Sequence, residues 1–309
     1  MTADAEVYFL DVRQAHATVI TAGSSGVLVV DCPLSGAVRA EEIISETSSE
    51  RLDIVVTHRD LDHCGGIAKL VRRFANEESR IYMNPAFAIS AAQSDFPLVR
   101  TVLKGIISAS QETGAEMKGA VRGDQSSLGP LSWEVKSPAH VDVMNSAVGG
   151  SVNRSSIVLR VDVASRTFLI PGDLDDVGIS NIIKAGEDLS AHVVLLPHHG
   201  ARLSRIEELL TAVDPDYAIV SAGRRMTHPA KETLDAASLH GCILMCTQVS
   251  RHCEPADMID PACAGEIVFS VGASGHLEVS PDRDRHREVI VTLTSAVCEP
   301  KSGHTASSS

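Results

Sequence analysis

The sequence is poor in what membrane and nucleic-acid-coating proteins rely on. No stretch approaches the roughly 18 consecutive apolar residues that a membrane helix needs, so no span is expected. Aromatic residues are 3% of the 309, which leaves few platforms for stacking unpaired bases. Basic residues are in deficit: 27 Lys and Arg face 40 Asp and Glu, a formal net charge of −13. That balance excludes a broad basic face for gripping long nucleic acid, but not a small site where metal ions supply the positive charge. The first residues, MTADAEVYFLDV, lack the basic start and apolar core of a secretory signal, so a cytoplasmic protein is expected. Seven cysteines, an odd count in a chain this long, fit thiols kept reduced.

What is present is a series of short apolar runs, each stopping at a polar cluster. VYFLDV, HATVITA and GVLVVD read as strands, a helix follows at about 36–47, and then comes the strand LDIVVT. It runs into HRDLDHCGG, which packs His58, Asp60, Asp62 and His63 into six positions ahead of a helix at about 67–74. Four groups that resist desolvation, crowded beside an apolar strand, need a compensating partner, and a divalent metal is the obvious one. Two His and two Asp at this spacing can divide between neighbouring ions, His58 and Asp60 facing one and Asp62 and His63 the other; a two-metal clamp also needs a bridging carboxylate. The strand FLIP ends at Asp173, the best bridge candidate; AHVVLLP ends at His198 and His199, and YAIVSA leads to His228.

Residues 84–130 are less sharply patterned. Helical spacing over Phe96–Lys118 suggests a helical insertion, either on the surface or as a lid over the site. Residues 1–280 are read as one domain and 281–309 as a charged extension with a disordered tail. Four late cysteines, Cys242, Cys246, Cys253 and Cys263, fall within 22 residues and could hold a structural zinc, although they lack CxxC hooks; buried thiols are the plainer reading.

These motifs resemble the metallo-β-lactamase superfamily, whose first motif is HxHxDH; here it reads HRDLDH, with Asp60 at the second histidine. That substitution resembles the ComEC-type branch, the nuclease-like domain of competence proteins and its stand-alone relatives. FLDVRQAHATVI, NRSSIVLRV, PGD, PHHGARLS and the His228-Pro229 pair follow in the branch's order, over about Tyr8 to Phe269. The resemblance implies an α/β fold, a four-layer αβ/βα sandwich of two face-to-face sheets. It implies two divalent ions, zinc or manganese: His58 and Asp60 on the first, Asp62, His63 and His228 on the second, Asp173 between them. It places His198 or His199 near the substrate. The usual third-motif histidine is absent, with Asn153 at that place, and Arg13 and His16 stand where the branch has glycine and aspartate. Asp60 in place of imidazole hardens the site toward manganese.

The activity so implied is that of a phosphodiesterase or nuclease acting on DNA, another nucleic acid or a small phosphodiester. Metal-bound hydroxide would attack phosphorus and His198 or water would protonate the leaving oxygen, Asp62, His198 and His199 being the residues closest to the chemistry. A hydrolase of small esters, thioesters or lactams is the alternative, which the acidic charge and scarce aromatics favour. A silent binding module is a third, opposed by the intact Asp62, His63 and Asp173. Nothing in the sequence sets the oligomeric state.

Overall fold

The computed structural model describes residues 5–49, 51–87, 97–148, 150–221, 223, 228–253 and 263–281. The run GVLVV shows why its strand forms. Val27 and Val29 enter one apolar cluster while Leu28 and Val30 enter another, so side chains of period two are buried on both faces. Strands of this kind sit inside a layered α/β molecule.

Two mixed sheets pack face to face. The first runs β15 (Leu277–Ser280), β14 (Ile267–Val271), β1 (Ala5–Phe9), β2 (Thr18–Thr21), β3 (Val27–Val30), β4 (Leu52–Val56), β5 (Arg80–Met83), β6 (Glu116–Gly119). The second runs β13 (Ile243–Cys246), β12 (Tyr217–Val220), β11 (Val193–Leu195), β10 (Arg166–Ile170), β9 (Val158–Val163), β8 (Leu131–Ser137), β7 (Gln125–Leu128). Phe9, Leu28 and Val55 of the first sheet meet Trp133, Phe168 and Ile219 of the second in the central core.

Helices cover both outer faces. On the first sheet α1 (Ala37–Glu46), α3 (Ile67–Phe74) and α4 (Pro97–Thr113) bury Ile43, Leu70 and Leu103 against Val29 and Ile54. On the second, α5 (Asp176–Lys184), α6 (Ile206–Val213) and α7 (Lys231–His240) bury Ile179, Leu209 and Leu234 against Leu169, Val194 and Ala218. The result is the expected four-layer αβ/βα sandwich. Strands β3 to β6 are mutually parallel, as are β10 to β13, because each helix returns the chain for the next parallel strand. Their carboxyl ends therefore come to one edge, where α/β folds place their sites.

The segment 84–130, expected to hold a helical insertion, contributes helix and strands to the sandwich. Within it, α4 is the crossover from β5 to β6, with Val99, Leu103, Ile106 and Ala109 buried in the outer layer, and β6 and β7 close the two sheets at one side. The helix lies against α3 and also contacts the segment Leu61–Cys64. Residues 88–96 of that segment and the tail at 282–309 lie outside the described residues.

Candidate metal centre

The site is built on strand ends. After β3, Asp31 takes a left-handed conformation (φ 58°) and its carboxylate is fully buried. Thr57, at the end of β4, donates its N–H to Asp31 Oδ1 (2.7 Å) and its hydroxyl to Oδ2 (2.5 Å). His63 Nδ1 lies 2.7 Å and His16 Nδ1 3.0 Å from that same Oδ2. Since a carboxylate only accepts, both Nδ1 atoms must carry the hydrogen. A buried anion with four donors is well compensated, and the histidines beside Asp31 pull its pKa below the usual range although burial alone would raise it.

The same logic sets the other rings. His199 Nδ1 lies 3.1 Å from the Ser221 carbonyl oxygen, again a pure acceptor. His58 Nδ1 lies 3.1 Å from Thr57 Oγ1, whose own hydrogen is committed to Asp31. All three imidazoles are thereby held as tautomers with the Nε2 lone pair available, and all three Nε2 atoms converge on Asp173. His63 Nε2 is 3.1 Å and His199 Nε2 3.6 Å from Asp173 Oδ1, and His58 Nε2 is 3.6 Å from Asp173 Oδ2.

Local backbone makes this convergence possible. Gly172, at φ 55°, lies so close to Thr57 that a Cβ would stand 2.8 Å from that side chain, which locks the β10 end against the β4 end. His198 and His199 are consecutive non-glycine residues in left-handed conformation (φ 52° and 55°), a strained turn of the kind found at functional sites. The His198 N–H to Gly172 carbonyl bond (3.0 Å) ties that turn to the Asp173 loop. Asp60 occupies the N-cap position of the short helix α2 (Leu61–Cys64), yet its side chain makes no capping bond and instead lies 3.7 Å from His58 Nε2.

Two atoms test whether a metal fits. His58 Nε2 and Asp173 Oδ1 are buried and have no hydrogen-bond partner; the 3.1 Å approach of His63 to Asp173 lacks bonding geometry. Such atoms are costly unless something binds them. Burial disfavours charge on His63, but Asp173 and Asp31 more than offset it and hold its pKa well above the ordinary value, as if a proton stood in for a cation. Asp173, although buried, is held well below the carboxylate range by His63, His58 and His199. Among the described residues, three groups bring potential ligand atoms within 4.8 Å: His16, Asp31, His63; His58, His63, Asp173; and Asp62, His63, His199. The donors are nitrogen and oxygen, a set suited to zinc or manganese.

The sequence comparisons agree with this architecture. A family model described as "Metallo-beta-lactamase superfamily" matches residues 10–99. ComE operon protein 3 of Bacillus subtilis (strain 168) is 26% identical over 189 residues, 60% of this chain and 22% of that protein. Competence protein ComA of Neisseria gonorrhoeae is 36% identical over 101 residues, 32% of this chain and 15% of that protein. Over these segments the chain is similar to the metallo-β-lactamase superfamily and to its ComEC-type members. It spans about a fifth of the length of those two relatives. Among solved structures, a variant of the β-hydroxylase CmlA shares the fold, with a TM-score of 0.51 and 13% identity over 80% of this chain and 53% of that one.

The structure brings His58, Asp60, Asp62, His63 and Asp173 together at one edge. It also brings in His199, whose Nε2 is 3.6 Å from Asp62 Oδ2 and 3.4 Å from His63 Nε2. His228, the expected sixth ligand, joins none of the three groups; its ring faces that of His198, with centroids 5.0 Å apart. His198 is partly exposed at the mouth, 3.7 Å from Asp173 Oδ2, and burial lowers its pKa. Asn153 sits in a 3-10 turn; its neighbours Val152 and Ser155 line a small cleft beside His58, but Asn153 itself does not.

Asp31 is absent from the sequence expectations because one aspartate after an apolar strand looks like an ordinary turn residue. Its only sequence signal is that GVLVVD ends on an acid. Among the described residues, the groups of three potential ligand atoms within 4.8 Å include none of Cys242, Cys246, Cys253 and Cys263. Cys246, Cys253 and Cys263 are buried in the outer core beneath the second sheet's helices.

Proposed function

We propose that the protein is a dinuclear metal-dependent phosphodiesterase acting on nucleic acid. The observation that carries this is the sharing of Asp173: Oδ1 faces His63 and His199 while Oδ2 faces His58 and His198, the disposition of a carboxylate between two cations. Two divalent ions held there would supply Lewis acidity and an activated water to a phosphodiester. We assign Asp62, His63 and His199 to one ion and His58 and Asp60 to the other, with His199 in place of His228.

The remaining roles belong to the mouth of the site. His198, neutral near pH 7 because burial lowers its pKa, offers an N–H to charge developing on the leaving oxygen, and the His228 ring packs against it. Nucleic acid as substrate is supported by the names of the relatives, two of them competence or ComE operon proteins and a third, from Haemophilus influenzae, "Recombination protein 2". No helix among the described residues is long and apolar enough to cross a membrane.

The competing small-substrate hydrolase is favoured by the net charge of −13. A panel of linear DNA, circular DNA, RNA and a thioester, offered to manganese-loaded protein, separates the two. Loss of nucleic acid with an inert thioester is the expected result, and thioester turnover with intact nucleic acid overturns the proposal.

A further inference from the structure

The loop between β1 and β2 is fastened to the rim of the metal centre. The His16 N–H donates to the Asp62 carbonyl (3.1 Å). The Ser221 hydroxyl donates to the Ala15 carbonyl (2.7 Å), while the Ser221 carbonyl oxygen lies 3.1 Å from His199 Nδ1. Gly223 closes on the loop so tightly that a Cβ there would stand 2.9 Å from the Gln14 nitrogen and 3.4 Å from the Arg13 Cβ. Residues 13–16 are thereby fixed beside the segments that carry Asp62 and His199.

Within this loop Arg13 is out of keeping with its position. Its φ of 66° is left-handed, a conformation that glycine takes freely and that strains arginine, and the ComEC-type motif has glycine here. The residue is exposed, in a chain with 40 acidic residues against 27 basic ones, yet its guanidinium has no hydrogen bond or ion pair among the described residues. Asp11, two residues away, instead accepts the Arg13 backbone N–H (3.4 Å) and Gln248 Nε2 (3.0 Å). The adjoining Gln14 Oε1 is buried without a hydrogen-bond partner. A strained backbone that carries an unpaired cation and an orphaned acceptor to the rim of a site calls for a ligand with an anionic group and a donor.

We propose that Arg13 binds the phosphate adjacent to the scissile phosphodiester, so that the site selects a nucleic acid strand over an isolated phosphodiester. The inference rests on the phosphodiesterase proposal and assigns its substrate selection to a residue that holds no metal. The planar guanidinium fits two oxygens of one phosphate, and Gln14 Oε1 accepts from a sugar hydroxyl or a base N–H of the same nucleotide. Charge placed at one point of the rim does locally what a net charge of −13 denies to the surface at large.

The test is the rate at which the manganese-loaded full chain cleaves a thymidine dinucleotide with a single phosphodiester, and the same dinucleotide bearing a further phosphate at its 5′ or its 3′ end. The wild-type chain should show a kcat/KM about tenfold higher for one of the two phosphorylated forms. Arg13→Gly relieves the backbone strain, so it should melt no lower than wild type and still lose that preference. Arg13→Lys, which keeps the charge, should retain part of it. Equal rates on all three substrates in the wild-type chain, or a preference that Arg13→Gly leaves unchanged, overturn the role of Arg13 and leave the phosphodiesterase proposal standing. Cleavage of none of the three overturns that proposal and this inference with it.

Discussion

Asp31 and His63 stand 32 residues apart in the chain, yet the Asp31 carboxylate receives the His63 Nδ1 hydrogen at 2.7 Å, and both side chains are buried. This contact turns His63 Nε2 toward Asp173. Asp31→Asn keeps the shape but offers an amide that can meet the ring with N–H against N–H. Metal affinity should fall about 10–100-fold, read by competition with a chromophoric chelator. Unchanged affinity would show that His63 orientation does not depend on this carboxylate.

His199 and His228 make a second contrast. His199→Ala removes a nitrogen that lies 3.6 Å from both Asp62 Oδ2 and Asp173 Oδ1, so an ion should be lost and turnover with it, by at least about 100-fold. His228→Ala should leave metal content intact and lower kcat more modestly, about tenfold, because its ring packs against that of His198. Elemental analysis of both variants decides it: loss of metal from the His228 variant alone would restore the ligand set expected from sequence.

The strand ends were legible in the sequence because each apolar run stops at a residue that has no other reason to be there. Thr57-His58, Asp173 and His199 could all be placed at one edge on that basis, and α3 occupies the residues expected, 67–74. The ligand partition was less legible. His199 and His228 both follow parallel strands of the same sheet, and only the left-handed turn at 198–199, tied back to Gly172, brings one of them inward. The buried stripe of α4, Val99, Leu103 and Ile106, has the same spacing whether it covers a sheet or a site. What distinguishes the two is β6, whose sequence EMKG carries no strand pattern and is recruited by pairing Ile81 with Met117.

Cys32, which follows Asp31, gives a prediction about pH. Burial, with the Asp31 charge beside it, pushes its thiol from 9.0 up to about 12, so the folded chain keeps a proton that the unfolded chain releases. The folded state then binds more protons between those values, and stability falls as pH rises from about 9 toward 12. Cys32→Ala or Cys32→Ser should flatten that limb of a urea-denaturation series run from pH 8 to 11 relative to wild type. An identical slope in wild type and variant would contradict the assignment.

The central claim is that Asp62 and Asp173 hold the metal on which phosphodiester cleavage depends. The direct measurement is hydrolysis of bis-para-nitrophenyl phosphate by chelator-stripped protein before and after addition of manganese, with the Asp62→Ala/Asp173→Ala double variant in parallel. The account predicts no turnover without metal, recovery on adding manganese, and none in the double variant at any metal concentration. Turnover that survives in the double variant, or that proceeds equally in the stripped wild-type chain, would contradict it.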